Sequence, residues 1–238
     1  MWKKVVFGAL LIPNAALANF PGCPVNPDPN LNGTPFTDVI WGGDSTVDVI
    51  HGNEGDDWLY GCDLDDRIYG GEGDDELYGG PGVDDIYGED DDDTISGNQG
   101  DDMLWGGDGE DRLFGGEDQD SLRGQGGDDR LFGNEGNDTL EGDGGNDKLW
   151  GGEGDDTELR GGSGDDVIHG DDGEDTAVFR GDHVDYTFAR YGSHLYVTDR
   201  AGTDGVDLVF DDVEWLHFEG SPMNANTFDF QSLYQSAQ

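Results

Sequence analysis

Aspartates stand nine residues apart at Asp57, Asp66, Asp75, Asp84, Asp93, Asp102, Asp111, Asp120, Asp129, Asp138, Asp147 and Asp156, and one step of ten carries the series to Asp166. What such a series offers is a hard, anionic oxygen at regular intervals. Neither histidine nor cysteine shares the beat, so the recurring donors are oxygens alone. Oxygen donors select hard cations, and a flexible set of carboxylates and carbonyls suits Ca²⁺ better than Mg²⁺, which demands tight octahedral geometry and holds its water. The chemistry expected of these residues is cation coordination.

The aspartates belong to a longer unit that must position them. From Gly52 to His169 one unit recurs thirteen times, twelve times with nine residues and once, from Gly151 to Arg160, with ten. Position one is glycine, position six aspartate and position eight leucine or isoleucine in every copy, from Leu59 to Ile168. Weaker copies flank the array at Gly33–Trp41, at Gly42–His51 with an insertion before Asp48, and from Gly170 through Asp175. Atypical end units are expected, because they must cap a stack. Glycines at one, two and four permit φ > 0 and close backbone approach, so that carbonyl oxygens can converge beside the aspartate. Position eight reads as a strand residue turned inward, with seven and nine turned outward. The additional residue between Asp156 and Leu159 predicts a bulge within the strand.

The unit resembles the calcium-binding nonapeptide of the RTX (repeats-in-toxin) family, GGxGxDxUx with U a large aliphatic. GGEGDDELY at 70–78 and GGDGEDRLF at 106–114 are full matches. The resemblance implies an all-β fold, a right-handed parallel β-roll. In it six residues form a turn, three form a strand, and two units make one coil. Each ion would then bridge one unit to the next but one, pairing Asp57 with Asp75 and Asp66 with Asp84. Thirteen units leave about eleven such gaps, hence on the order of ten Ca²⁺ ions. Asp48 and Asp175 in the flanking copies join the expected ligands. Position four departs from the pattern at Leu64, Asp91 and Asp118, where a left-handed turn conformation strains a side chain and the neighbouring gaps are expected to be weak or empty. TAVFRGDHVDYTF and VEWLHFEG resemble segments that close such arrays.

Two other readings of the aspartates fail. A solvated acidic linker would not keep phase with glycine and an aliphatic residue. An EF-hand needs a twelve-residue loop ending in its glutamate between helices, and no stretch has one.

Composition sharpens the point. The 238 residues include 43 glycines, 56 acids and only 11 bases, a formal net charge of −45. Such a chain does not bind nucleic acid or an anionic membrane through its bulk charge. Low hydrophobicity and high charge alone predict disorder, so the fold is expected to need its cations, with an apo chain largely disordered.

The domain organisation reads as a signal peptide at 1–18, an irregular segment at 19–32, the roll at 33–175 and a small β-rich cap at 176–238. The first eighteen residues carry Lys3 and Lys4, an apolar run and Ala16-Leu17-Ala18, the pattern of a cleaved export signal. The run is short for a retained anchor, leaving no membrane span after cleavage. RTX proteins typically leave by a one-step channel with an uncleaved C-terminal signal, so this leader is a departure. The location expected is secreted or extracellular, with the periplasm or cell surface open. Cys23 and Cys62 could then bridge, stay free, or, for Cys23, bear lipid, although Phe20-Pro21-Gly22 fits a lipoprotein cleavage box poorly.

The outward positions hold all six cations of the array: Arg67, Arg112, Arg130 and Lys148 at seven, Arg123 and Arg160 at nine. Position nine also lines up Tyr60, Tyr78, Phe114, Phe132 and Trp150 on one face, interrupted by Ser96, and Tyr69, Tyr87 and Trp105 on the other. These rows could stack across strands or present a flat surface to an extracellular glycan or surface protein. Cross-strand stacking is the simpler expectation. No HExxH, GxSxG or GxxxxGK[ST] motif is present. His51 and His169 are outward, while His183, His194 and His217 are scattered in the tail. The function expected is a non-enzymatic, calcium-dependent structural or binding role. The alternative is an auxiliary glycan-binding module of a polysaccharide-modifying system.

Overall fold

The computed structural model describes residue 23, residues 30–220 and residues 227–229. The expected export signal at 1–18 and most of the segment 19–32 lie outside them. Among the described residues no helix is long and apolar enough to cross a membrane, and the one helical element is a 3₁₀ turn at His183–Asp185.

Among the described residues two sheets of eleven strands each face one another, and successive strands of the array alternate between them. The strand Arg112–Glu117 pairs in parallel with Thr94–Gln99 on one side and Arg130–Glu135 on the other, each neighbour displaced by eighteen residues. Two nine-residue units therefore make one coil. Between the sheets runs a core one side chain thick. The position-eight residues from Leu59 to Ile168, with Ile50 before them, are 0–1% exposed. Each stacks on its equivalent, as Leu77 does on Leu59 and Ile95. Burial of these aliphatics holds the register, because a slip of one residue would turn every one of them to solvent.

The expected three-residue strands are mostly six residues long. Glu76–Pro81 spans positions seven to nine of one unit and one to three of the next. The ladder resumes after the corner glycine, with Gly80 opposite Asn98 and Pro81 opposite Gln99. Only positions four to six remain as turn.

The ten-residue unit differs from expectation too. Its additional residue, Thr157, lies between Asp156 and the strand Glu158–Ser163, outside the strand. Glu158 still faces Thr139, and Leu159 faces Leu140. Keeping Leu159 in the core fixes the strand, so the surplus is taken up just before it.

At the C-terminal end the tail strands lie on the open edges of both sheets. Trp215–Phe218 adds in parallel to Thr176–Phe179, and Val206–Val209 adds in parallel to Val167–Asp172. His194–Asp199 and Tyr186–Tyr191 follow antiparallel, joined by a turn at Gly192 (φ +67°). Phe179, Tyr186, Phe188 and Phe218 pack together with ring centroids 5.2–5.8 Å apart. At the other end a disulfide joins Cys23 to Cys62, with Cα atoms 6.2 Å apart.

Candidate metal centre

Each position-six aspartate is placed by the corner that precedes its strand, and its carboxylate reaches back one coil. Oδ1 of Asp75 accepts the backbone N–H of Asp57 at 2.7 Å, and Asp84 does the same for Asp66 at 2.7 Å. Two columns result, one on each side of the roll. Asp57, Asp75, Asp93, Asp111, Asp129, Asp147 and Asp166 form the first. Asp48, Asp66, Asp84, Asp102, Asp120, Asp138, Asp156 and Asp175 form the second. These are the expected site residues, and each expected pair is adjacent in its column.

The second oxygen is what marks the site. From Asp66 to Asp175, thirteen position-six aspartates bury Oδ2 without a hydrogen-bond partner. A buried, unpaired carboxylate oxygen is costly, and the cost recurs at every turn. Burial is the main cause that raises these acids above the ordinary carboxylate range, aided at most positions by neighbouring carboxylates. The N–H from the preceding coil works in the opposite direction. Asp111 and Asp138 rise to about 6, Asp75 to about 7, Asp84 and Asp102 to about 8, and Asp93 to about 9.

Asp48 is different. Its Oδ2 accepts from the Gly43 N–H at 2.7 Å and its Oδ1 from the Thr46 hydroxyl at 3.0 Å, so protein donors close the head of that column. Asp38, in the weak copy Gly33–Trp41, does the same for the other. It takes the N–H and hydroxyl of Thr34 on Oδ2 and gives its own N–H to Asp57 Oδ1. Asp38 was not among the expected site residues, although it sits at position six of its copy.

The glycines divide their work. At position one a Cβ on Gly70 would collide with Asp75 Oδ2, and on Gly88 with Asp93 Oδ2 and the Gly106 carbonyl. That position therefore needs space rather than φ > 0. Positions two and four carry the left-handed backbone, as at Gly71 (φ +126°) and Gly73 (φ +122°). There the carbonyls of the previous coil come close, Asn53 to Gly71 and Gly55 to Gly73. Leu64, Asp91 and Asp118 hold φ of +83°, +76° and +81° in place of glycine. The space between coils is thus bordered by position-two and position-four carbonyls and the position-six carboxylate, a hard donor set that fits Ca²⁺.

Position five adds a device the sequence reading missed. Its side chain reaches forward: Asp92 Oδ1 accepts the N–H of Glu110 at 2.8 Å, and Asn137 Oδ1 that of Asp155 at 2.8 Å. Where position five is Asp or Asn, as at Asp92 and Asn137, it and the adjacent position-six aspartate clasp opposite neighbours. The only sequence signal was the frequency of Asp, Asn, Glu and Gln there.

Outside the columns, the position-nine rings stack in ladders, Trp41–Tyr60–Tyr78, His51–Tyr69–Tyr87–Trp105 and Phe114–Phe132–Trp150, with centroids 4.1–5.0 Å apart and planes within 14°. Neighbouring rings cover the faces on which a sugar would stack, as cross-strand stabilisation requires. Where the second ladder ends, ions replace it. Arg123 binds Glu141 at 2.6 Å and Asp143 at 2.8 Å, and Arg160 reaches Glu219 of the tail at 2.7 Å.

No curated protein matches the chain. The family model of the RTX calcium-binding nonapeptide repeat (4 copies) matches residues 43–61, 63–95, 87–122, 123–158 and 158–180, more than half of the sequence. With its eighteen-residue coils, its single-file aliphatic core and its two columns of buried aspartates, the chain belongs to the RTX calcium-binding nonapeptide repeat family and is a calcium-binding β-roll.

Proposed function

We propose that the protein is exported, folds when it meets calcium outside the cytoplasm, and serves a structural or binding role at the cell surface or beyond it. The observation that carries this reading is the repeated buried Oδ2 without a partner, from Asp66 to Asp175. Asp57, Asp66, Asp75 and their equivalents through Asp175 would hold the ions together with the turn carbonyls, while Asp48, served by Gly43 and Thr46, would contribute least. A bound divalent ion supplies the positive charge that each pair of coils lacks. The residues do the rest: they keep donors in phase, exclude water from Oδ2, and transmit each ion's binding along the ladder. Folding and loading are then one event, because the unfolded chain lacks the converged oxygens. Export is supported by the leader-like first eighteen residues.

The test is a calcium titration of the purified protein followed by circular dichroism, with metal analysis of the folded sample. Strand signal that grows with calcium, together with about ten ions per chain, is the expected result. A fold unchanged by chelation would sink the reading.

A further inference from the structure

The family match ends at residue 180, yet the tail returns to the same geometry after an inserted hairpin. Residues 205–210 read GVDLVF, the spacing of positions four to nine. Each residue also occupies its position in space. Gly205 has φ +76° and lies against the Gly164 carbonyl, as position-four glycines lie against their predecessors. The Val206 N–H donates to Asp165 Oδ1 at 2.9 Å, the position-five clasp. Asp207 Oδ1 accepts the Asp166 N–H at 3.2 Å, the position-six clasp, across 41 residues of sequence. The Leu208 N–H donates to the Asp166 carbonyl at 2.8 Å, Val209 faces Ile168 in the core, and Phe210 stacks on His169 at 3.6 Å.

The second column is continued by a shortened unit. The Asp212 carbonyl lies over Gly170 where a position-one carbonyl belongs. Glu214 Oε2 accepts the Asp175 N–H at 2.9 Å, the longer side chain taking the place of aspartate. The Trp215 N–H donates to the Asp175 carbonyl at 2.9 Å, and Leu216 is buried opposite Ala177.

An independent observation points to a ligand here. Oδ2 of Asp166 and Oδ2 of Asp175, the last position-six aspartates of their columns before these tail residues, are both without hydrogen-bond partners, on residues 1% and 0% exposed. Asp207 is itself only 3% exposed.

We propose that residues 205–210 and 212–218 are two degenerate repeat units, and that each column takes one more divalent calcium-class cation between Asp166 and Asp207 and between Asp175 and Glu214. The inference rests on the calcium reading of the array. It makes docking of the tail dependent on calcium, with Asp207 and Glu214 as the final carboxylates.

The test uses the full chain, calcium as the probe, and three variants: Asp207→Asn, Glu214→Gln and, in mid-array, Asp93→Asn. The amide variants keep an oxygen for the N–H clasp and remove the charge, so a purely structural role would survive them. Bound calcium per folded chain is measured by equilibrium dialysis and metal analysis. The expected result is one ion fewer in Asp207→Asn, one fewer in Glu214→Gln, and at least one fewer in Asp93→Asn. A full complement in both tail variants with a loss in Asp93→Asn overturns this proposal and leaves the array reading standing. A full complement in all three, or no calcium in the wild type, overturns both. Hydrogen exchange on the unmutated protein covers variants that fail to fold. Protection of the Leu208 and Trp215 amides should rise with calcium alongside the array, and protection in chelator while the array exchanges freely overturns the proposal.

Discussion

Asp75 accepts the backbone N–H of Asp57 at 2.7 Å from one coil away, with one carboxylate oxygen, and holds the other buried and unpartnered. One side chain thus belongs to two systems, a hydrogen-bonded ladder complete within the protein and a cation site that is complete only with an ion. Because the two functions sit on different oxygens, substitution can separate them.

At Asp93 the separation should change sign with calcium. Asp93→Asn keeps an acceptor for the Asp75 N–H and removes a buried charge. In saturating calcium it should be less stable than wild type, and in chelator it should be more stable. Asp93→Ala also strands that N–H and should cost about 1–3 kcal/mol beyond the asparagine variant in calcium. Thermal unfolding in calcium, and the strand signal by circular dichroism in chelator, measure the two effects.

The pH response follows from the raised acids. Asp111 rises to about 6, Asp84 to about 8 and Asp93 to about 9, from an ordinary value of 3.8. A carboxyl whose folded value lies above its unfolded one favours the fold when both states are protonated, and that advantage is lost as pH rises through the folded value. In chelator, strand structure should therefore be greatest below about pH 4, where both states are protonated, and decay as pH rises from about 4, where the unfolded carboxyls ionise, until the last folded carboxyls ionise near about pH 9. With calcium the trend reverses, since protons compete for the same oxygens, and more calcium should be needed to fold the chain as pH falls. Circular dichroism against pH, with and without calcium, checks both directions.

Gly88→Ala tests the corner. The new methyl would meet Asp93 Oδ2 and the Gly106 carbonyl, neither of which can retreat without breaking its column. A loss of about 1–3 kcal/mol is expected in calcium, with a higher calcium midpoint for folding. Denaturant unfolding and a calcium titration report the two effects.

Arg160 links array to tail. It is largely buried and bonds Glu219 at 2.7 Å and Glu158 at 3.1 Å, both half-exposed. Arg160→Met keeps the stem and removes the charge, and should cost about 1 kcal/mol after allowance for solvent screening. The loss should show as faster hydrogen exchange in Trp215–Phe218, with the coils before Asp129 unchanged.

Much of this arrangement was legible because period and chemistry coincide. The nine-residue phase of Gly52, Asp57 and Leu59 placed the corner, the carboxylate columns and the core. The outward reading of Tyr60 and Tyr78 anticipated their ladder. The position-five clasp was not legible, since Asp92, Gln119 and Val83 share the position without sharing a side-chain type and the backbone N–H it serves belongs to another coil. Six-residue strands were hidden for a similar reason: positions two and three vary in composition, and their pairing comes from stacking on like positions. Thr157 lies outside the strand because the buried Leu159 fixes the register after it. Asp207 and Glu214 escaped the repeat because residues 180–204 interrupt its period, although GVDLVF preserves the spacing.

The eighteen-residue register has a further consequence for how the chain finds its fold. When units are nearly interchangeable, a coil can dock on the wrong neighbour and still bury its leucine, so misalignment by a whole coil is a natural folding error. Ser96 between Tyr78 and Phe114, Arg123 above Glu141, and the surplus Thr157 break that equivalence at different heights along the stack. They serve as index marks, and replacing them with consensus residues would gain local regularity while giving the chain more ways to assemble out of step.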